Sequence, residues 1–133
     1  MSQLSRFLRN VAGGGLSYWC EGCREAHTVW VGEGPGPRWS WNGDVEKPVF
    51  GPSVLVTGHW YTPKGEADEQ AWQDAGCPQP RPAFETADRR CHTFVGCNGA
   101  QPGEVIFLSD CTHELAGRVR PLVPLPAHRS REA

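Results

Sequence analysis

The sequence lacks any apolar run of membrane-spanning length and has almost no excess of charge of either sign. The first absence excludes a transmembrane helix, which needs about 18 or more consecutive apolar residues. The second sets 13 Lys and Arg against 15 Asp and Glu, a net charge of −2. A protein that grips nucleic acid through its phosphates carries a basic excess, so charge does not favour that partner. A secretory signal is also missing: Arg6 and Arg9 break up Leu4, Phe7 and Leu8, and Gly13-Gly14-Gly15 follows without an apolar core or cleavage site. The expected location is the cytoplasm. Uninterrupted helix-forming stretches are scarce as well, because 16 Gly and 12 Pro punctuate the chain. A mostly helical fold is therefore excluded.

What the sequence does have is aromatic mass, 6 Trp, 5 Phe and 2 Tyr in 133 residues, enough to build a core. This length predicts one domain. Leu16–Trp19 and Thr28–Val31 are rich in aromatic and β-branched residues and predict two strands joined by a turn. Gly32–Pro37 is a break. Trp39 and Trp41 alternate on one short strand, with a tight turn at Asn42-Gly43. Val49–Thr57 predicts a strand interrupted at Gly51-Pro52, and Cys91–Val95 and Val105–Ser109 predict a hairpin. Residues 62–90 are polar and proline-rich and predict a long inserted loop with one helical turn at 67–73. Asp110–Gly117 predicts a second helical turn, with Asp110 as N-cap. The expected object is mainly β: a small twisted antiparallel sheet or partly open barrel with a zinc-knuckle turn and one or two short helical turns. An N-terminal segment with a glycine hinge covers 1–15, the single domain 16–126 and a frayed tail 127–133.

Six cysteines, at 20, 23, 77, 91, 97 and 111, indicate metal rather than disulfides in a reducing compartment. Only Cys20 and Cys23 form a CxxC pair, and on a tight turn they point to a structural zinc. The hairpin brings Cys91 toward Asp110 and Cys111, which predicts Cys91 as third ligand. The fourth is Cys111, His113 or His92, taken in that order. Alternation along a strand keeps Cys91 and His92 from sharing one ion, so His92 is free to work on another surface. His27, Ser53, His92, Asp110 and His113 are the polar side chains from which an acid–base or hydrolase site would be assembled, with His92, Asp110 and His113 as its catalytic candidates. Cys77 and Cys97 fall in expected loops without a role. Gly13–Gly15 lacks the Lys-Ser/Thr of a phosphate loop.

Five segments taken in order resemble a known family: Tyr18-Trp-Cys-x-x-Cys-x-x-x-His27, Trp39-x-Trp-Asn-Gly-Asp44, Lys47-Pro-x-Phe-x-Pro-Ser53, Cys91-His-x-Phe94 and Ile106-Phe-Leu-x-Asp-Cys-Thr-His-x-Leu-Ala-Gly117. These are similar to small phage and prophage proteins of unknown function that often bear the label ammonia monooxygenase. The resemblance implies a phage-borne protein in a bacterial host, and not the labelled membrane copper chemistry. It also implies that the position of Cys111 accepts Ser, which keeps His113 and His92 open as fourth ligand. The leading functional expectation is a zinc-binding accessory protein that acts by binding a host or phage macromolecule, with a protein favoured over nucleic acid by charge; an enzyme is disfavoured but left open. The first alternative is a zinc-dependent hydrolase or nucleotide-processing enzyme using His92, Asp110 and His113. The second is a nucleic-acid-binding zinc module using exposed Trp with Arg89 and Arg90.

Overall fold

A computed structural model describes residues 3–126. The frayed tail expected over 127–133 lies outside the described residues, as do the first two residues. Two antiparallel sheets carry the chain. The first has three strands, β1 (Arg9–Val11), β2 (Gly15–Cys20) and β3 (Glu25–Trp30), in that order. The second has five, β4 (Ser40–Trp41), β5 (Phe50–Tyr61), β6 (Thr86–Val95), β7 (Glu104–Phe107) and β8 (Val119–Pro121), again in chain order. Neither closes into a barrel among the described residues.

Side chains of both sheets meet in one core. Leu16, Tyr18 and Val29 come from the small sheet, and Phe50, Val54, Val95, Val105 and Phe107 from the large one. The Tyr18 and Phe50 rings stack at 5.9 Å across the junction. Alternation decides which residues take part: along β6, Cys91, Thr93 and Val95 are buried, while His92 and Phe94 between them are only partly so. A paired carboxylate and guanidinium close the outside, where Arg120 on β8 donates twice to Glu21 in the β2–β3 turn, at 3.1 and 2.9 Å.

Three expectations change. The glycine hinge is a hairpin turn between β1 and β2, with Gly13 and Gly14 at positive φ. A turn that tight demands this conformation, which leaves the triplet no hinge to form. The loop expected over 62–90 holds a twelve-residue helix, α1 (Pro63–Asp74), and half of β6. Thr62 caps α1 by accepting the Gly65 N–H, and Pro63 takes the first helical position, where its missing N–H costs nothing. The helix stands on a satellite cluster in which Arg81 lies over the Phe84 and Trp72 rings. Finally, 110–117 forms non-helical turns, because the Asp110 carboxylate is used on a side chain of β6 instead of as a cap.

Gly65 is buried where α1 meets the segment leading into β6, and a Cβ there would lie 2.0 Å from the Glu85 carbonyl oxygen. Gly65→Ala is expected to destabilise the fold by about 1–3 kcal/mol through overpacking. The check is a lowered urea midpoint at unchanged m-value.

Candidate functional site

The turn between β2 and β3 is built to present two sulfurs. Arg24 adopts a left-handed φ of 58° and donates its N–H to the Cys20 carbonyl at 2.8 Å, which closes the turn. The Cys23 N–H donates to Cys20 Sγ at 3.3 Å. Across the core, Cys91 on β6 places its Sγ 3.7 Å from that of Cys20. His113, from the segment after β7, brings Nε2 to 3.4 Å from Cys91 Sγ. The four ligand atoms of Cys20, Cys23, Cys91 and His113 all lie within 4.8 Å of one another, so the group can hold a metal ion. Cys23, Glu25 and His27 form a second such group that shares Cys23.

Two observations test the fit. A Cβ on Gly22 would lie 2.3 Å from the His113 ring, so the knuckle keeps bare backbone where the imidazole must approach. The sulfurs are also crowded beyond what neutral thiols need. Hydrogen bonding with Cys20 and then Cys91 holds the Cys23 thiol far below its ordinary range, while hydrogen bonding with Cys20 and then Cys23 pushes Cys91 far above. One thiolate forms readily and the next is opposed, a conflict that a divalent cation removes. Burial lowers His113, which leaves its imidazole neutral and able to ligate. Beside the cluster, burial opposes a charge on His27, yet the Cys20 and Cys23 sulfurs bring it up to about 9.

Cys91 and His92 are neighbours on β6, and His92 leaves the strand on the opposite face. Its register partner on β5 is Leu55, so Ser53, two residues earlier, shares that face. A register shift between Phe50 and Val54 adjusts the entry of the strand. His92 Nε2 lies 3.0 Å from Ser53 Oγ, and His92 Nδ1 lies 3.2 Å from Asp110 Oδ2. A carboxylate only accepts, which assigns the proton to Nδ1 and leaves Nε2 to accept from the Ser53 hydroxyl. The Ser53 carbonyl accepts from Trp39 Nε1 at 3.1 Å. Residues 108–112 are laced to β6: Leu108 donates to the His92 carbonyl at 2.9 Å, and Thr112 exchanges bonds with the Arg90 backbone. Cys111 clasps the His92 backbone at both ends, its Sγ accepting from the N–H and donating to the carbonyl, each at 3.3 Å.

The expected residues thus divide between the two faces. Cys20, Cys23 and Cys91 come together. Cys111, expected as fourth ligand, lies outside the quartet because its sulfur is turned to the His92 backbone, and His113 stands in its place. His113 in turn is separated from the pair His92 and Asp110, since its ring faces the sulfurs. His27 sits on the metal side with the knuckle. Ser53 stood in the expected polar set without a catalytic part, and pairing β5 with β6 in register is the signal that would have brought it to His92. Cys97 donates to the Phe50 carbonyl at 3.4 Å, and Cys77 is exposed at a left-handed turn after α1.

Gly22→Ala is expected to displace His113 and weaken metal retention roughly 10- to 100-fold, in the range found when a ligand's support is lost. Elemental analysis after competition with a chelator measures it, and Cys111→Ser, outside the quartet, is expected to keep its metal. Because the thiols must lose protons to bind, metal is retained near neutral pH and released on acidification, which a colorimetric chelator titration follows.

The family model described as bacterial ubiquitination-like system serine protease (BubE) matches residues 4–102. No curated protein matches the chain. No solved structure matches it either. The matched span contains Cys20, Cys23, Ser53, Cys91 and His92, with Asp110 and His113 beyond its end. Its description carries neither the phage origin nor the ammonia monooxygenase label attached to the family that the motifs resemble. The match spans well over half of the sequence, with a serine and a histidine in contact inside it, and the chain belongs to the BubE family.

Proposed function

We propose that this chain is a serine protease in which Ser53 is the nucleophile, His92 the general base and Asp110 the orienting carboxylate. One observation carries the reading: a single imidazole bonded to the Ser53 hydroxyl at 3.0 Å and to the Asp110 carboxylate at 3.2 Å. In the mechanism this geometry supports, Ser53 Oγ attacks a peptide carbonyl while its proton passes to His92 Nε2. Asp110 holds the ring in the correct tautomer and stabilises the imidazolium. The leaving amine then takes the proton from Nε2, and water repeats the cycle on the acyl ester. The His92 and Asp110 side chains are 26% and 42% exposed, open enough to meet a substrate.

Three thiolates and an imidazole are a ligand set of structural zinc, and they fill all four tetrahedral positions. A metal held by these four residues would fix the strand that carries His92 and leave no position open to the substrate. This separates the proposal from a zinc hydrolase with an open coordination position, the role first considered for His92, Asp110 and His113. In place of a non-enzymatic accessory protein, the geometry supports an enzyme whose protein partner is its substrate. The family's description, a serine protease of a bacterial ubiquitination-like system, supports an amide bond of a polypeptide as the target. The nucleic-acid reading loses support where Arg89 is engaged within the chain, 4.6 Å from the centre of the Trp60 ring.

A fluorophosphonate is expected to label Ser53, located by peptide mass spectrometry, and Ser53→Ala to abolish labelling and peptide hydrolysis. Asp110→Asn is expected to lower kcat about 10⁴-fold by favouring the wrong tautomer. Labelling that survives Ser53→Ala rejects the assignment. Exchange of zinc for cadmium, which keeps the same tetrahedral ligands, is expected to leave kcat within about twofold.

A further inference from the structure

Beyond Ser53, whose carbonyl is taken by Trp39, the outer edge of β5 is free. The His92 N–H is used on Cys111 and its carbonyl on Leu108, both away from β5. Leu55 and His92 are therefore a non-hydrogen-bonded pair, which turns the Leu55 N–H and C=O away from β6 as well. Arg90 spends its N–H and C=O on Thr112, so its partner Thr57 is turned outward in the same way. Alternation continues the pattern to His59. On that outer side β4 reaches only Phe50 and Gly51. Among the described residues no backbone hydrogen bond engages the outward groups of Leu55, Thr57 or His59.

We propose that a polypeptide substrate binds as an additional strand on this edge of β5, pairing with the main chain of Leu55, Thr57 and His59 and delivering its scissile carbonyl to Ser53. The proposal rests on the serine-protease reading and adds the mode of substrate recognition. Donor and acceptor pairs recur every second residue, about 7 Å apart, the repeat of an extended peptide and of no other common ligand. The row is continuous with the nucleophile, since Ser53, Leu55, Thr57 and His59 share one face with His92. Natural edges are blunted with Lys, Pro or a covering loop. Beyond Pro52 this one has none of those residues, and it displays Leu55 with 54% of its surface exposed. An apolar substrate side chain beside the scissile bond would cover Leu55. Because the free edge opens at Leu55, two residues from the nucleophile and on its face, the substrate is its occupant and not a second copy of the chain.

Thr57→Pro tests this directly: it deletes an outward N–H that the β5–β6 ladder does not use, a place where strand proline is tolerated. The probe is a fluorescence-quenched peptide that the wild-type protein cleaves, with fluorophosphonate labelling of Ser53 as reference. Expected is a loss of about tenfold in kcat/KM, with the labelling rate unchanged and metal content retained. A second measurement needs no variant: N-methylation of successive amides of the peptide is expected to block cleavage at alternate positions only. Unchanged peptide cleavage by Thr57→Pro, or N-methyl effects without alternation, overturns strand pairing while leaving the protease standing. A wild-type dimer that Thr57→Pro dissociates also overturns it, since the occupant is then a second copy. Wild-type protein that fluorophosphonate does not label removes the protease reading itself, and strand pairing with it.

Discussion

Adjacent side chains on a strand point to opposite faces, and on β6 that constraint separates two chemistries by a single peptide bond. Cys91 turns inward to the sulfurs of the β2–β3 turn, and His92 turns outward to Ser53 and Asp110. No rearrangement of β6 can improve one face without disturbing the other. A one-residue slip would bury an imidazole among thiols and expose a thiol beside a serine, so this register is specified from both sides. The segment after β7 repeats the division. Asp110 serves the outer face and His113 the inner, with Cys111 between them clamping the His92 backbone.

Such a division suits a chain with little regular structure to spare. Glycine and proline concentrate in breaks, β4 has two residues, and β1 and β8 have three each. The core draws on both sheets, but only a few large side chains, Tyr18, Phe50 and Leu8 foremost, are fully enclosed. Small domains with limited cores take staples. Here the staple site joins the small sheet to the large one at the end where positioning matters most, and the bond pair between Glu21 and Arg120 closes the same end from outside.

Much of both sheets was legible because the signals are local. Aromatic and β-branched runs marked β2, β3, β5, β6 and β7, and the CxxC marked the knuckle. The helix α1 was legible only as a turn at 67–73, since its residues are polar and its main apolar contact, Trp72 with Phe84, depends on a residue twelve positions later. The hairpin of β6 and β7 brought Asp110 and Cys111 to β6, yet could not say which of Cys111 and His113 turns inward. That choice depends on Gly22, a residue 91 positions before His113, whose missing side chain leaves room for the ring. Ser53 was hidden for a related reason: its partner is fixed by the pairing of β5 with β6, whose joining segment reads as a loop and folds as helix and strand.

The sequence separations inside the outer cluster have a consequence for how the protein comes into being. Ser53 is synthesised 39 residues before His92, and His92 18 residues before Asp110. The inner cluster is spread wider still, from Cys20 to His113. While the nascent chain is still being extended, its serine is an ordinary hydroxyl with no base within reach, and the knuckle holds two sulfurs of an incomplete cage. Both centres are finished together when the segment carrying residues 110–113 closes over β6. Under the proposed mechanism, neither centre is complete until residues 110–113 have been made and folded onto β6.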